Sequence, residues 1–254
     1  MRRAWALALF APLLMGQAKP ELVPDVSQRD IEIAYSFTGA ELLLFGAILY
    51  PGGSAPQKGE RPADIVVVIK GPTESVVVRE KSKVAGIWVN AAQTRYRSAP
   101  SFYAIASSRP IRQLVDDRTR AIYELGLDSL QLSPASGAAP QVQQRFDAGL
   151  VDLRRRNGLF YEAPGAVEIT GGVLYRARLT IPARVPVGRF TAETFLIRDG
   201  RVLAAAVRPI QIRKSGFERF VATSADQHAI VYGLVAVGVS FLFGWGAGAL
   251  WRRF

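Results

Sequence analysis

The chain has 254 residues, 49% hydrophobic and 21% charged, with a mean hydropathy of +0.14 and a formal charge of +11. That composition excludes intrinsic disorder as the main state and suggests a membrane-associated segment. With no Cys and a single His, His228, it also excludes disulfide scaffolds, Cys/His zinc sites, iron–sulfur clusters, c-type haem attachment and Cys nucleophiles.

In chain order, residues 1–18 place Arg2-Arg3 before an apolar run, Ala4 to Met15, and then Gly16-Gln17-Ala18. A charged n-region, an apolar stretch too short to cross a bilayer and a small-residue cleavage site predict a signal peptide, cut near Lys19. Both methionines, Met1 and Met15, precede that cut, so the mature chain lacks Met as well as Cys, which excludes thiolate or thioether handling of copper(I). Lys19 to Pro24 follows as an extended leader.

Ile31, Ile33, Tyr35 and Phe37 alternate with Glu32, Ala34 and Ser36, a period of two that predicts a half-buried strand. Glu41 to Tyr50 is an apolar run of strand length, followed by a polar loop from Pro51 to Pro62. The β-branched run inside Asp64–Lys70, the Gly71-Pro72 turn and Ser75 to Arg79 predict a hairpin. Two further strands are expected at Val84–Asn90 and Ser101–Ser107, whose aromatic residues Trp88, Phe102 and Tyr103 read as core rather than as a recognition patch.

The period then changes. Ile111, Leu114, Val115, Ile122 and Leu125 recur at helical spacing, with Ser108 as cap, Pro110 at the start and Gly126 as stop. After the Pro/Ala/Ser/Gly stretch 133–140, Val142, Phe146, Leu150 and Leu153 mark the apolar face of a second helix, ended by Asn157-Gly158. Arg154, Arg155 and Arg156 lie in its last turn, where cations complement the macrodipole and water solvates them. Strands return at Val167–Thr170, Leu174–Ile181, Gly188–Arg198 and Arg201–Arg213, the last two joined by the Asp199-Gly200 hairpin signal.

Ala229 to Trp251 contains no charged residue, and at about 1.5 Å per residue its helix is roughly 34 Å long, against a hydrocarbon core of about 30 Å. Arg252 and Arg253 follow it, so the positive-inside rule predicts a cytoplasmic C-terminus and an exported body. Loss of Arg2 and Arg3 lowers the charge from +11 to +9, and setting aside Arg252 and Arg253 leaves +7 on the exported part. Nucleic acid is not an expected partner there; attraction to anionic headgroups, an anionic ligand or an acidic protein are the readings left open.

The expected class is therefore mainly β, an immunoglobulin-like antiparallel sandwich with a two-helix insertion and one C-terminal transmembrane helix. Its organisation reads as signal peptide 1–18, periplasmic sandwich 19–110 and 165–214, helical insertion 111–164, linker 215–228, membrane helix 229–251 and cytoplasmic tail 252–254. No catalytic, cofactor-binding or metal-binding residues are predicted, and no cofactor. Asp116, Asp117, Glu124, Asp128, Asp147, Asp152 and Glu162 are interspersed with Arg112, Arg118 and Arg120, which reads as a solvated face with exposed ion pairs. The one candidate site lies in the membrane helix. Ala236, Ser240, Gly244 and Gly248, spaced by four, form a stripe of small residues along which a second helix could approach closely.

The runs Phe37–Gly46 (FTGAELLLFG), Val84–Asn90 (VAGIWVN), Pro100–Pro110 (PSFYAIASSRP) and Val185–Gly188 (VPVG), with the terminal apolar helix, resemble the Alph_Pro_TM family of alphaproteobacterial transmembrane proteins. The resemblance implies a periplasmic domain with one C-terminal anchor and no established biochemical activity, often encoded beside a permease similar to sulfite or organosulfonate exporters of the TauE/SafE type. It brings no catalytic residues. The expected function is a non-enzymatic accessory or interaction subunit of such an inner-membrane permease, which it meets, or meets itself, through the membrane helix. The alternative is a periplasmic binding or sensing module for a small anion.

Overall fold

The computed structural model describes residues 19–33, 39–53, 62–135, 137–214, 221 and 224–251. The expected signal peptide 1–18, the strand positions Tyr35 and Phe37 and the tail 252–254 lie outside the described residues. Strands β1 (Glu21–Val26), β3 (Gly39–Leu49), β11 (Leu174–Pro182) and β10 (Val167–Thr170) form a four-stranded antiparallel sheet in that order. A second sheet runs β2 (Asp30–Ile33), β13 (Arg201–Lys214), β12 (Gly188–Arg198), β4 (Asp64–Lys70), β7 (Tyr103–Ser107) and β9 (Phe160–Pro164). The two sheets enclose one core, so the expected mainly β, antiparallel sandwich is what the chain forms. Its interior ladders are antiparallel, while the outer strands β2 and β9 pair in parallel with β13 and β7.

The extended leader is itself a strand. β1 alternates buried Leu22 and Val26 with exposed residues and pairs with β3 from Glu21↔Leu49 to Val26↔Leu44. Gly46 of β3 is required by what crosses it: a Cβ there would lie 2.4 Å from the Val23 carbonyl oxygen and 2.6 Å from the Tyr175 hydroxyl.

The continuous run Ile65 to Ile69 is fully buried because β4 is central and covered on both faces. On one side, Ile65, Val67 and Ile69 turn toward the opposite sheet with their partners Leu196, Thr194 and Ala192. On the other side the helical insertion covers Val66 and its partner Phe195, whose ring meets Tyr123 edge-on with centroids 5.5 Å apart.

The hairpin expected between 64–70 and 75–79 does not form. β4 lies between β12 and β7, and the chain beyond Gly71-Pro72 continues as β5 (Thr73–Val84), which pairs with β6 (Ile87–Pro100). The strand expected at Val84–Asn90 is the end of this ribbon: Ala85 and Gly86, at φ of 49° and 88°, make the turn. Trp88 therefore sits beside the turn and is 65% exposed, contrary to its expected core position, whereas Phe102 and Tyr103 are fully buried as expected.

The single helix expected from Ile111 to Leu125 is two short ones, α1 (Ile111–Leu114) and α2 (Asp117–Tyr123). Val115 between them is extended and bridges to Gly200, and Asp116 caps α2 by accepting from the Thr119 amide at 2.8 Å. Ser108 caps no helix; its hydroxyl donates to Asp64 at 2.7 Å. α3 (Pro140–Arg156) follows its predicted face only in part. Phe146 and Leu150 pack on Val78, Tyr96 and Ala99 of the β5–β6 ribbon, while Leu153 stays exposed. A two-residue strand, β8 (Ser133–Pro134), joins the ribbon beside β6, and the last five residues of the expected insertion are β9, part of the second sheet.

Several phenols are enclosed here. The Tyr103 hydroxyl donates to the Glu124 carbonyl at 2.6 Å and accepts from the Gly126 amide at 3.0 Å. Burial raises it above the ordinary 10.0, as it raises Tyr175; burial and then the Asp147 carboxylate raise Tyr96, and burial holds Tyr161 at about 12. A pKa raised on folding means stability that is complete below the unfolded value near 10.0 and is lost as pH climbs through the folded value. The denaturation midpoint should accordingly fall between pH 10.0 and about 12, and Tyr161→Phe should flatten that fall. A midpoint constant across this window would contradict the burial of these hydroxyls.

Candidate functional site

The helix α4 (Ala229–Trp251) has no polar face. Its stretch Ala229–Gly248 averages a hydropathy of 1.9 and is not buried against the protein at all; Leu234 and Phe241 are 69% and 75% exposed. A helix of this length that is apolar all round and meets no core among the described residues could span a bilayer. Backbone polar groups are satisfied within the helix, and the one hydroxyl on the stripe is satisfied too: Ser240 Oγ donates to the Ala236 carbonyl at 2.9 Å.

Ala236, Ser240, Gly244 and Gly248 thus share one side of a continuous helix, as their spacing predicts. A Cβ built at Gly244 or Gly248 meets nothing within 4 Å, so among the described residues no second helix lies on the stripe. Arg252 and Arg253, on which the predicted orientation rests, lie outside the described residues.

Asp116, Asp117, Asp128, Asp152 and Glu162 are exposed, as expected of a solvated face, while Glu124 and Asp147 are half-buried. Arg120 is 7% exposed at its side chain and donates to Asp117 at 2.8 Å and Asp128 at 3.2 Å, with Arg112 reaching the same Asp128 carboxylate. Lys70, at the end of the apolar β4, lies 2.8 Å from Glu124 and 3.3 Å from Glu193. Burial works against its charge, but these two carboxylates outweigh burial and raise its pKa above 10.5. Glu162 accepts from the Leu127 amide at 2.7 Å, and Asp147 accepts from the Tyr96 hydroxyl at 2.7 Å and from Gln143 Nε2 at 2.6 Å. Asp152 pairs with Arg156 at 2.8 Å. Arg154, expected in solvent, reaches across to Glu74 at the base of the β5–β6 ribbon. Glu124, Glu162, Asp147 and Glu74 each bond to a different element, whereas Asp117 and Asp152 pair within their own helices.

A cleft of about 490 Å³ opens at the end of the sandwich beside the Asp199-Gly200 turn. Asp64 lines it. Arg109 grips that carboxylate with Nε at 3.0 Å and Nη2 at 2.5 Å, and Ser108 adds its hydroxyl. Hydrogen bonding to Asp64 raises the Arg109 pKa. Since Arg109 and Arg112 are both paired with carboxylates, the cleft does not concentrate positive charge toward an anion. Among the described residues no group of three His, Asp or Glu side chains is placed to hold a metal ion.

The sequence profile of the family described as "Putative transmembrane protein (Alph_Pro_TM)" matches residues 21–253. No curated protein matches the chain. Among solved structures, the crystal structure of Spo0M, a sporulation control protein from Bacillus subtilis, is similar at 10% sequence identity and a TM-score of 0.30. The similarity covers 83% of this chain and 56% of that one, a likeness too low to carry an argument about either fold or function.

Proposed function

The chain belongs to the Alph_Pro_TM family of transmembrane proteins, and from that premise we propose that it is a non-enzymatic, single-pass accessory subunit of an inner-membrane permease. α4 anchors it, the sandwich lies in the periplasm and the C-terminus lies in the cytoplasm. The observation that carries this reading is α4 itself: apolar all round, uncovered by the body, and marked along one side by Ala236, Ser240, Gly244 and Gly248. A plain tether has no need of such a stripe, whereas a helix that packs against another gains close backbone approach from it. A second copy of the chain is the other partner the stripe would fit. The permease is taken to carry a sulfite- or sulfonate-type anion, as the family resemblance implies.

The alternative is a periplasmic module that binds or senses a small anion, favoured by the +7 of the exported part. The pairing of Arg109 and Arg112 in the polar cleft weighs against it. Copurification in mild detergent separates the two: a permease that travels with the chain supports the accessory role, and a chain isolated alone that binds sulfite supports the sensor.

Orientation has its own test. A reporter active only outside the cytoplasm should work when fused after Arg213, and one active only in the cytoplasm should work after Phe254. The reverse pattern would overturn the proposed placement.

A further inference from the structure

We propose that the β5–β6 ribbon is a second membrane contact, an arm whose end dips into the anionic headgroup layer of the bilayer that holds α4. The proposal rests on α4 being membrane-inserted and adds a site to that reading.

The arm is a direct extension of the sandwich. The β4–β7 ladder ends at Lys70↔Tyr103, passes through hydrogen bonds from the Gly71 amide to the Phe102 carbonyl and from the Ser101 amide to the Pro72 carbonyl, and resumes at Thr73↔Pro100. Four strands therefore make one long antiparallel ribbon whose outer half leaves the sheet. β12 is antiparallel to both β4 and β13, so β4 and β13 run the same way. The arm and the segment leading to α4 leave from one end of the sandwich. Gly188, paired with Ile212 near the end of β13, touches that exit, since a Cβ there would lie 2.9 Å from Pro72.

Lengths agree with this direction. The β5 strand of 12 residues spans about 40 Å at a rise near 3.3 Å per residue. Between β13 and α4, residues 224–227 already turn as helix, with the His228 amide bonded to the Ser224 carbonyl, so residues 215–228 can reach at most about 40 Å. The headgroup layer is thus within the arm's reach.

α3 covers only the base of the arm, from the Arg154–Glu74 pair to the Arg145–Glu80 pair. Beyond Glu80 the ribbon is bare among the described residues. Val84, Ile87, Trp88 and Val89 surround the turn, with Ile87 70% exposed, and Lys83 lies opposite Trp88 while Lys81 lies opposite Asn90. No acidic residue occurs from Lys81 to Arg95. An isolated two-stranded ribbon is marginal in water, and an apolar end on it is costly there. An apolar tip with one Trp, set ahead of two lysines and free of acids, matches a headgroup layer: the aromatic ring sits at the interface and the ammonium groups meet lipid phosphates.

The absence of Cys makes the test direct. The full chain carrying Val89→Cys, labelled with an environment-sensitive fluorophore, is reconstituted into vesicles of equal parts phosphatidylcholine and phosphatidylglycerol that contain a headgroup nitroxide quencher. The same chain carrying Arg201→Cys, labelled at the opposite end of the sandwich, is the reference. Flotation with the vesicles reports on α4, and quenching reports on the arm. The expected result is flotation of both chains with quenching confined to the tip label. Lys81→Gln and Lys83→Gln should each lower the ratio of inserted to free arm about fivefold. Flotation with a tip label as unquenched as the reference would overturn the arm alone, and a crosslink from that tip to a protein in native membranes would then reassign it to protein docking. Failure to float would overturn both the anchor and the arm.

Discussion

Phe102→Ala should destabilise the chain by about 3 to 5 kcal/mol, while Trp88→Ala should change stability by no more than about 0.5 kcal/mol. The two aromatics lie in similar apolar runs, yet their surroundings are opposite. Phe102 is 0% exposed, with the Phe190 and Tyr161 rings at centroid distances of 6.1 and 6.2 Å, and it occupies the junction where the ribbon leaves the sheet. The junction is tightly packed: a Cβ on Gly71 would come within 2.9 Å of the Phe190 ring. Removal of the Phe102 ring leaves a cavity that such a framework fills only in part. The Trp88 ring already meets solvent, so its loss opens none. Denaturant unfolding of the full chain in micelles, followed by far-ultraviolet circular dichroism, measures both. Equal losses for the two variants would mean that Trp88 packs against the body and that the arm is not free.

The contrast also shows how far the pattern of residues determines the structure. Features set by neighbours along the chain were legible: the Asp199-Gly200 turn, with both residues at positive φ, the apolar α4, and α3 with Phe146 and Leu150 on its buried face. Features set by distant partners were not. The run from Ile65 to Ile69 predicts a strand, but which neighbours it takes depends on β12 and β7, far along the chain, and these displace β5 from its side. Trp88 reads as core from the sequence because a strand end with Val, Ile and Trp carries the same local signal whether a second sheet covers it or nothing does. The Ala85-Gly86 turn is hidden in the sequence for a local reason, since Ala is uncommon at positive φ. In the candidate site, the stripe along α4 was legible because helix periodicity alone places it. The partners of Lys70, Glu124 and Glu193, are not, because they depend on how the insertion and β12 meet the end of β4.

Replacing Gly244 and Gly248 together by Leu should leave insertion intact and abolish helix association. Both positions lie within α4, and a Cβ at either meets nothing within 4 Å among the described residues. Leu is among the most favourable residues at the centre of a membrane helix, and the segment becomes more apolar with the change. What changes is the distance of approach. Packing along a stripe of small residues depends on two backbones lying close together, and two isobutyl groups at consecutive turns of the same side hold a partner helix away. The loss falls on dispersion contacts that weaken steeply with separation, and no hydrophobic gain compensates for it, because lipid chains already solvate both helices. Crosslinking yield in native membranes is the measurement, with membrane fractionation as the control for insertion. A variant at normal membrane level that no longer crosslinks to a permease, or to a second copy, identifies the stripe as the docking seam. An unchanged yield would reduce α4 to a tether and transfer any partner to the periplasmic sandwich.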